Sequence, residues 1–157
     1  MAATHHYSAS LAWSGSTALG YRDFDRTHRV VTPPAGQDLV VSADPSFRGD
    51  PDQLNPEQLL LVAAASCQLL SFLALAARAG IDVVRYSDDA EAEMPATRDR
   101  MRITRIVLRP KIVVAGPFDL AEVQRLVHVA HEECYIANTL ACEMVLEPAI
   151  KLLTVTV

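Results

Sequence analysis

Between Glu57 and Arg78 the chain carries no charge, and this run constrains the fold more than any other feature of the sequence. The stretch NPEQLLLVAAASCQLLSFLALAARAG, Asn55 to Gly80, reads as one helix with its own punctuation. Asn55 is a good N-cap, Pro56 a good first helical residue, Glu57 lies near the positive end of the helix dipole, and Gly80 is a natural stop. Leu59 to Ala77 is long enough to pass for a membrane span. Against that, it holds Ser66, Gln68 and Ser71, is rich in alanine, and is followed by alternating strand-like sequence with no second span. The expectation is a deeply buried helix of a soluble protein, or one shared between subunits, with no membrane partner.

With 157 residues, half of them hydrophobic and 21% charged, the chain is expected to form a single domain over 1–157 with a sizeable core. The formal net charge is -5, and the arginines are interleaved with acids, which argues against a nucleic-acid partner. The N-terminus, MAATHHYSASLAW, shows no basic segment leading into an apolar run, so no secretory signal is read there. Three cysteines, Cys67, Cys134 and Cys142, do not make an even disulfide framework, and the expected compartment is a reducing cytoplasm.

The alternation from His6 to Trp13 predicts a first strand, and further strands are expected around His28–Thr32 and in DLVVSA, with Pro33, Pro34 and Gly36 between them. DPSFRGDPDQL reads as a loop. After the long helix, IDVVRYSDDAEAEM and MRITRIVLRPKIVVAG alternate with period two, placing Ile103, Ile106, Leu108 and Ile112 inward, with a bulge to bring Ile106 into phase. Asp119 and Glu122 form a capping pair for a second helix through Val123, Leu126, Val127 and Ala130. A short third helix begins at or just after Cys134, and EMVLEPAIKLLTVTV closes the chain as strands split near Pro148. The fold class is α+β, with mostly antiparallel sheets and a long buried central helix.

Three groups of residues can carry chemistry. Cys67, in the middle of the apolar helix, reads first as packing, because buried cysteine behaves as a small hydrophobe. Apolar surroundings raise a thiol's pKa, and no helix terminus is close in sequence, so reactivity there requires a cation brought in from elsewhere. Cys134, in AHEECYIANTL, stands where a short helix starts and where backbone amides favour a thiolate. His131 can be a base or a ligand, although with Glu132 it also reads as the polar end of a helix. A zinc site can be drawn from Cys67, His131 and Cys134, but neither C-x-x-C nor H-E-x-x-H is present, and no metal or cofactor is expected. Cys142 is explained by packing.

GDPDQLNPEQLLLVAAASC, followed some sixty residues later by AHEECYIANTL, resembles the OsmC/Ohr family of peroxide-detoxifying proteins. The resemblance covers nearly the whole chain in element order and in the positions of both cysteines. Tyr135 stands where the best-characterised organic-hydroperoxide reductases usually have proline, so the chain looks closer to the general OsmC-like branch. The resemblance implies a thiol peroxidase. Cys67 would attack an organic hydroperoxide and become a sulfenic acid, Cys134 would condense with it, and an external dithiol, with lipoylated protein the family's suggestion, would reduce the disulfide. It also implies that the glutamate of N-P-E, here Glu57, and an arginine of the N-terminal hairpin organise the thiolate. DRTHRVV selects Arg26, with Arg22 as the alternative, and such a guanidinium would lower the pKa of Cys67.

Ten residues along a helix rise about 15 Å, so Glu57 cannot reach Cys67 of its own straight helix. A carboxylate that serves the thiol must then come from a second subunit, which predicts an intertwined homodimer. Two rivals keep the same fold: a protein that binds a small ligand in the apolar pocket without catalysis, and a redox sensor that passes its disulfide to a partner.

Overall fold

A computed structural model describes residues 3–97 and 100–153, which fall into two compact units divided within the long helix, Met1–Leu59 and Leu60–Val157. The last four residues of the expected terminal strand, 154–157, lie outside the described residues.

In the first unit, β1 (Ser10–Ala12), β2 (His28–Val31) and β3 (Asp38–Val41) form an antiparallel sheet in that order. Only three residues of the alternating His6–Trp13 stretch pair as a strand. The β2–β3 turn contains Pro33 and Pro34, and Ala35 N–H closes it on the Thr32 carbonyl at 3.0 Å. The DPSFRGDPDQL loop holds one short 3-10 turn, Pro45–Phe47, with Asp44 as its cap.

The helix α1 spans Pro56–Arg78. Its start is a reciprocal box. Asn55 Oδ1 accepts from Gln58 N–H at 2.8 Å, and Gln58 Oε1 accepts from Asn55 N–H at 3.1 Å. At its end Gly80 takes φ +70°, Gly80 N–H bonds the Ala77 carbonyl and Ile81 N–H the Ala76 carbonyl, a Schellman closure that tucks Ile81 into the core. Replacing Asn55 by alanine removes one side of the box and is expected to cost about 1 kcal/mol, read as a lower urea midpoint at unchanged slope.

The expected deep burial of α1 is not met within the chain. Ala64, Gln68, Phe72 and Ala76 are buried, one stripe at every fourth position, whereas Val62 is 55% and Leu70 65% exposed. The buried stripe packs on two clusters. Phe72 and Ala76 join Ile112, Val114, Val123 and Val127, and Ala64 joins Ile106 and Leu108.

Three chain segments of the second unit each cross between two small sheets. β4 (Asp82–Asp88) continues as β5 (Glu91–Glu93), β6 (Arg105–Leu108) as β7 (Pro110–Ala115), and β8 (Glu143–Leu146) as β9 (Ala149–Leu152). One sheet has the order β4-β7-β9 and the other β5-β6-β8. Both are mixed: β4–β7 and β5–β6 pair antiparallel, β7–β9 and β6–β8 parallel. Among the described residues four of six strand pairings are thus antiparallel, and the parallel ones are formed by strands that return after the later helices.

The run RITRIVLRPKIVV, expected as one strand, breaks at Arg109. Its amide donates to Asp88 Oδ1 at 2.7 Å, and its guanidinium pairs with Glu91 and Glu147, each at 2.9 Å. Pro110 then opens β7, a position that tolerates a missing donor. No bulge is needed for Ile106, because Ile106, Val107 and Leu108 are all buried. The register shift falls instead in β4, between Val83 and Arg85.

The helix α2 spans Leu120–Glu132 and α3 spans Tyr135–Thr139. Asp119 caps α2 through Ala121 N–H at 2.9 Å, but Glu122 does not complete a capping pair; both its oxygens bond Arg125 at 2.7 Å.

Candidate active site

Cys67 lies in α1 beside the buried stripe and is half-buried; Cys134 is the N-cap of α3 and fully buried. Cys67 and Cys134 are close enough for each to act on the other's ionisation, and Cys134 Sγ accepts from Ala137 N–H at 3.5 Å. The α2–α3 turn that delivers Cys134 is only a residue long at each cap. Glu133 ends α2, Cys134 starts α3, and Cys134 N–H bonds the His131 carbonyl at 3.2 Å.

The electrostatics are asymmetric. Burial pushes the Cys67 thiol up, but hydrogen bonds from the Cys134 side chain, the Ile136 and Tyr135 amides and Ser71 outweigh it, so Cys67 ionises below the ordinary thiol value. Burial and the neighbouring Cys67 hold Cys134 above that value. Of the pair, Cys67 is the thiol that gives up its proton more readily.

This corrects the sequence-based objection to Cys67. A helix start is near it in space, although none is near in sequence. The amides that the sequence assigns to Cys134 serve Cys67 as well. The groups that hold its charge are a thiol, two amides and a hydroxyl, none of them a cation. Iodoacetamide labelling is expected to follow. Because thiolate is the reacting form, Cys67 should label with a midpoint below that of the denatured chain and lose reactivity as the pH falls through it. Cys134 should label only above the denatured midpoint.

A groove of about 750 Å³ runs along α1 from Ala63 to Arg78, with Cys67 and Ser71 in its wall and Glu133, Tyr135 and Asn138 on the opposite side. Fifteen helical residues correspond to about 22 Å, longer than a small hydroperoxide. Leu70 and Tyr135, at its surface, are 65% and 82% exposed.

Of the other expected residues, Glu57 stands half-buried in the first turn of α1. Arg26 belongs to the N-terminal unit. Its guanidinium donates to the Phe24 carbonyl at 2.7 Å and the Tyr21 carbonyl at 2.6 Å and stacks over the Phe24 ring at 4.0 Å. His131 is not merely a solvated helix end: its Nδ1 is bonded to Gln68 at 3.2 Å. Among the described residues no three His, Cys, Asp or Glu side chains are grouped to hold a metal ion. Cys142 is half-buried against the cluster of Ala64, Ile106 and Leu108.

Sequence reasoning missed Gln68, Ser71 and the two amides as parts of the site. A signal for Gln68 was present. It is the single polar member of the Ala64, Phe72, Ala76 stripe, and a polar side chain inside such a stripe needs buried partners.

Fold and site define an α+β dithiol protein, with one thiol on a long helix facing a second at the start of a short one. A family model described as OsmC-like protein matches residues 49–148, and the chain belongs to the OsmC/Ohr family. It is 25% identical over 156 residues to an uncharacterized protein, YmaD, of Bacillus subtilis, covering 96% of this chain and 97% of that one. A solved OsmC-like protein of unknown function from Vibrio cholerae is 28% identical with a TM-score of 0.82, over 92% of this chain and 99% of its own. An organic hydroperoxide resistance protein from Legionella pneumophila, at 20% identity and TM-score 0.70, covers 96% of this chain and 99% of its own and shows the common fold.

Proposed function

We propose that the protein is a cysteine-based peroxidase for organic hydroperoxides. The observation that carries this reading is two thiols remote in the chain brought together, Cys67 in the groove wall and Cys134 at the start of α3, with Cys67 the more readily ionised. In the first step the Cys67 thiolate attacks the distal oxygen of ROOH. The O–O bond breaks, Cys67 becomes a sulfenic acid, and RO⁻ leaves as the alcohol after taking a proton. In the second, the Cys134 sulfur displaces the hydroxyl of Cys67–SOH, forming the S–S bond and releasing water. Two electrons from an external dithiol then restore both thiols. The lowered pKa of Cys67 and the raised pKa of Cys134 suit this order, because the attacking group is the more readily ionised of the two.

The apolar lining of the groove favours fatty or aromatic hydroperoxides over hydrogen peroxide. By the family resemblance, Glu57 and Arg26 supply the carboxylate and guanidinium that organise the thiolate. The exposed face of α1, with Val62 55% and Leu70 65% exposed, supports a homodimer in which a second copy covers part of the groove and leaves the end around Cys67 to the peroxide.

Thiol counting tests the reading. With cumene or tert-butyl hydroperoxide, two thiols per chain should disappear, and a dithiol should sustain turnover. Retention of all three thiols under excess hydroperoxide would refute the enzyme, and tight binding without thiol loss would establish a ligand carrier in its place.

A further inference from the structure

We propose that Gln68 and His131 are positioning residues that fix the two thiols against each other, an inference that rests on the dithiol reading above. Gln68 follows Cys67 directly and is fully buried. Its Nε2 donates to the Val127 carbonyl at 3.0 Å, and its Oε1 meets His131 Nδ1 at 3.2 Å.

A carbonyl can only accept, so the Val127 contact fixes which end of the amide is nitrogen. The oxygen must then face His131, and Nδ1 must carry the proton. The same histidine reaches the second thiol through its backbone, where its carbonyl accepts from Cys134 N–H at 3.2 Å. The residue after Cys67 and the amide of Cys134 are thus tied to one histidine by two hydrogen bonds. Burial holds His131 below its ordinary pKa, which favours the neutral imidazole.

This link matters because both properties of the site are geometric. The lowered pKa of Cys67 depends on nearby groups of Cys134, Ile136, Tyr135 and Ser71. Disulfide closure needs the two Cβ atoms about 3.8 Å apart with a constrained dihedral. A small rotation of α1 on α2 loses both. Gln68 is the polar contact that opposes that rotation, in a stripe otherwise made of Ala64, Phe72 and Ala76.

Three variants separate positioning from bulk stability: Gln68→Met, His131→Leu and His131→Asn. Asparagine Nδ2–H can replace the imidazole Nδ1–H towards Gln68 but cannot act as an imidazole base. Each variant is studied at a temperature where circular dichroism shows it folded. Two readouts are used, the rate of Cys67–Cys134 disulfide formation driven by diamide and the pH midpoint of Cys67 alkylation followed by mass spectrometry.

Gln68→Met and His131→Leu should slow closure at least about tenfold and raise the alkylation midpoint, whereas His131→Asn should stay within about threefold of wild type. A folded Gln68→Met or His131→Leu with wild-type closure and midpoint overturns the proposal. So does His131→Asn behaving like His131→Leu, which would assign the imidazole a proton-transfer role. Neither readout uses a hydroperoxide. A wild-type protein that fails to consume hydroperoxide therefore refutes the peroxidase alone, and unchanged variants of an active protein refute the positioning alone.

Discussion

Serine in place of Cys67 is expected to lower hydroperoxide consumption by roughly 10³-fold or more, because a hydroxyl near neutral pH offers neither the charge nor the polarisable nucleophile of a thiolate. Serine in place of Cys134 should fail differently. It keeps a hydroxyl donor towards Cys67, so one equivalent of peroxide is still consumed, but the sulfenic acid then has no second thiol to close on. Dimedone should trap it on Cys67, and turnover should stop after the first cycle. Alanine at 134 removes the donor too, and should also raise the alkylation midpoint of Cys67, since the Cys134 side chain is the largest of the lowering contributions. Equal loss of the first and later cycles in Cys134→Ser would contradict the division of roles between the thiols.

A lysine at Leu70 is expected to weaken self-association at least about a hundredfold. Leu70 is 65% exposed, so the substitution leaves the packing of the chain itself undisturbed. In the proposed dimer it would bury an unpaired ammonium between two apolar helix faces, at a cost of several kcal/mol per site. Sedimentation velocity should find wild type as a dimer at micromolar concentration and Leu70→Lys as a monomer with nearly the same thermal midpoint. Hydroperoxide turnover should fall with dissociation if Glu57 serves the thiol of the other copy. A wild-type monomer at that concentration would remove the dimer from the proposal.

Local signals were read correctly where the structure depends on local chemistry. Asn55, Pro56 and Gly80 bracket α1, Asp119 opens α2, Cys134 opens α3, and Pro148 separates the last two strands. What the sequence concealed depends on contacts remote in the chain. Arg109 breaks an apparently continuous strand because Asp88, Glu91 and Glu147 converge on it, and nothing in RITRIVLRPKIVV announces those partners. The two thiols could be paired only through family resemblance, because 66 intervening residues carry no register between them. The ionisation of Cys67 was misjudged for the same reason. Its supporting amides belong to residues 135 and 136, and linear distance from a helix end was taken for spatial distance.

The dependence of Cys67 on that late segment has a temporal consequence. During synthesis the first sulfur emerges long before the turn that ionises it, and until α3 has docked it is an ordinary thiol in an apolar helix. In the proposed peroxidase, heightened oxidant sensitivity would therefore arrive only with the finished fold. A nascent or partly opened molecule would then react with peroxide no faster than an ordinary thiol while it has no nearby sulfur to resolve the product.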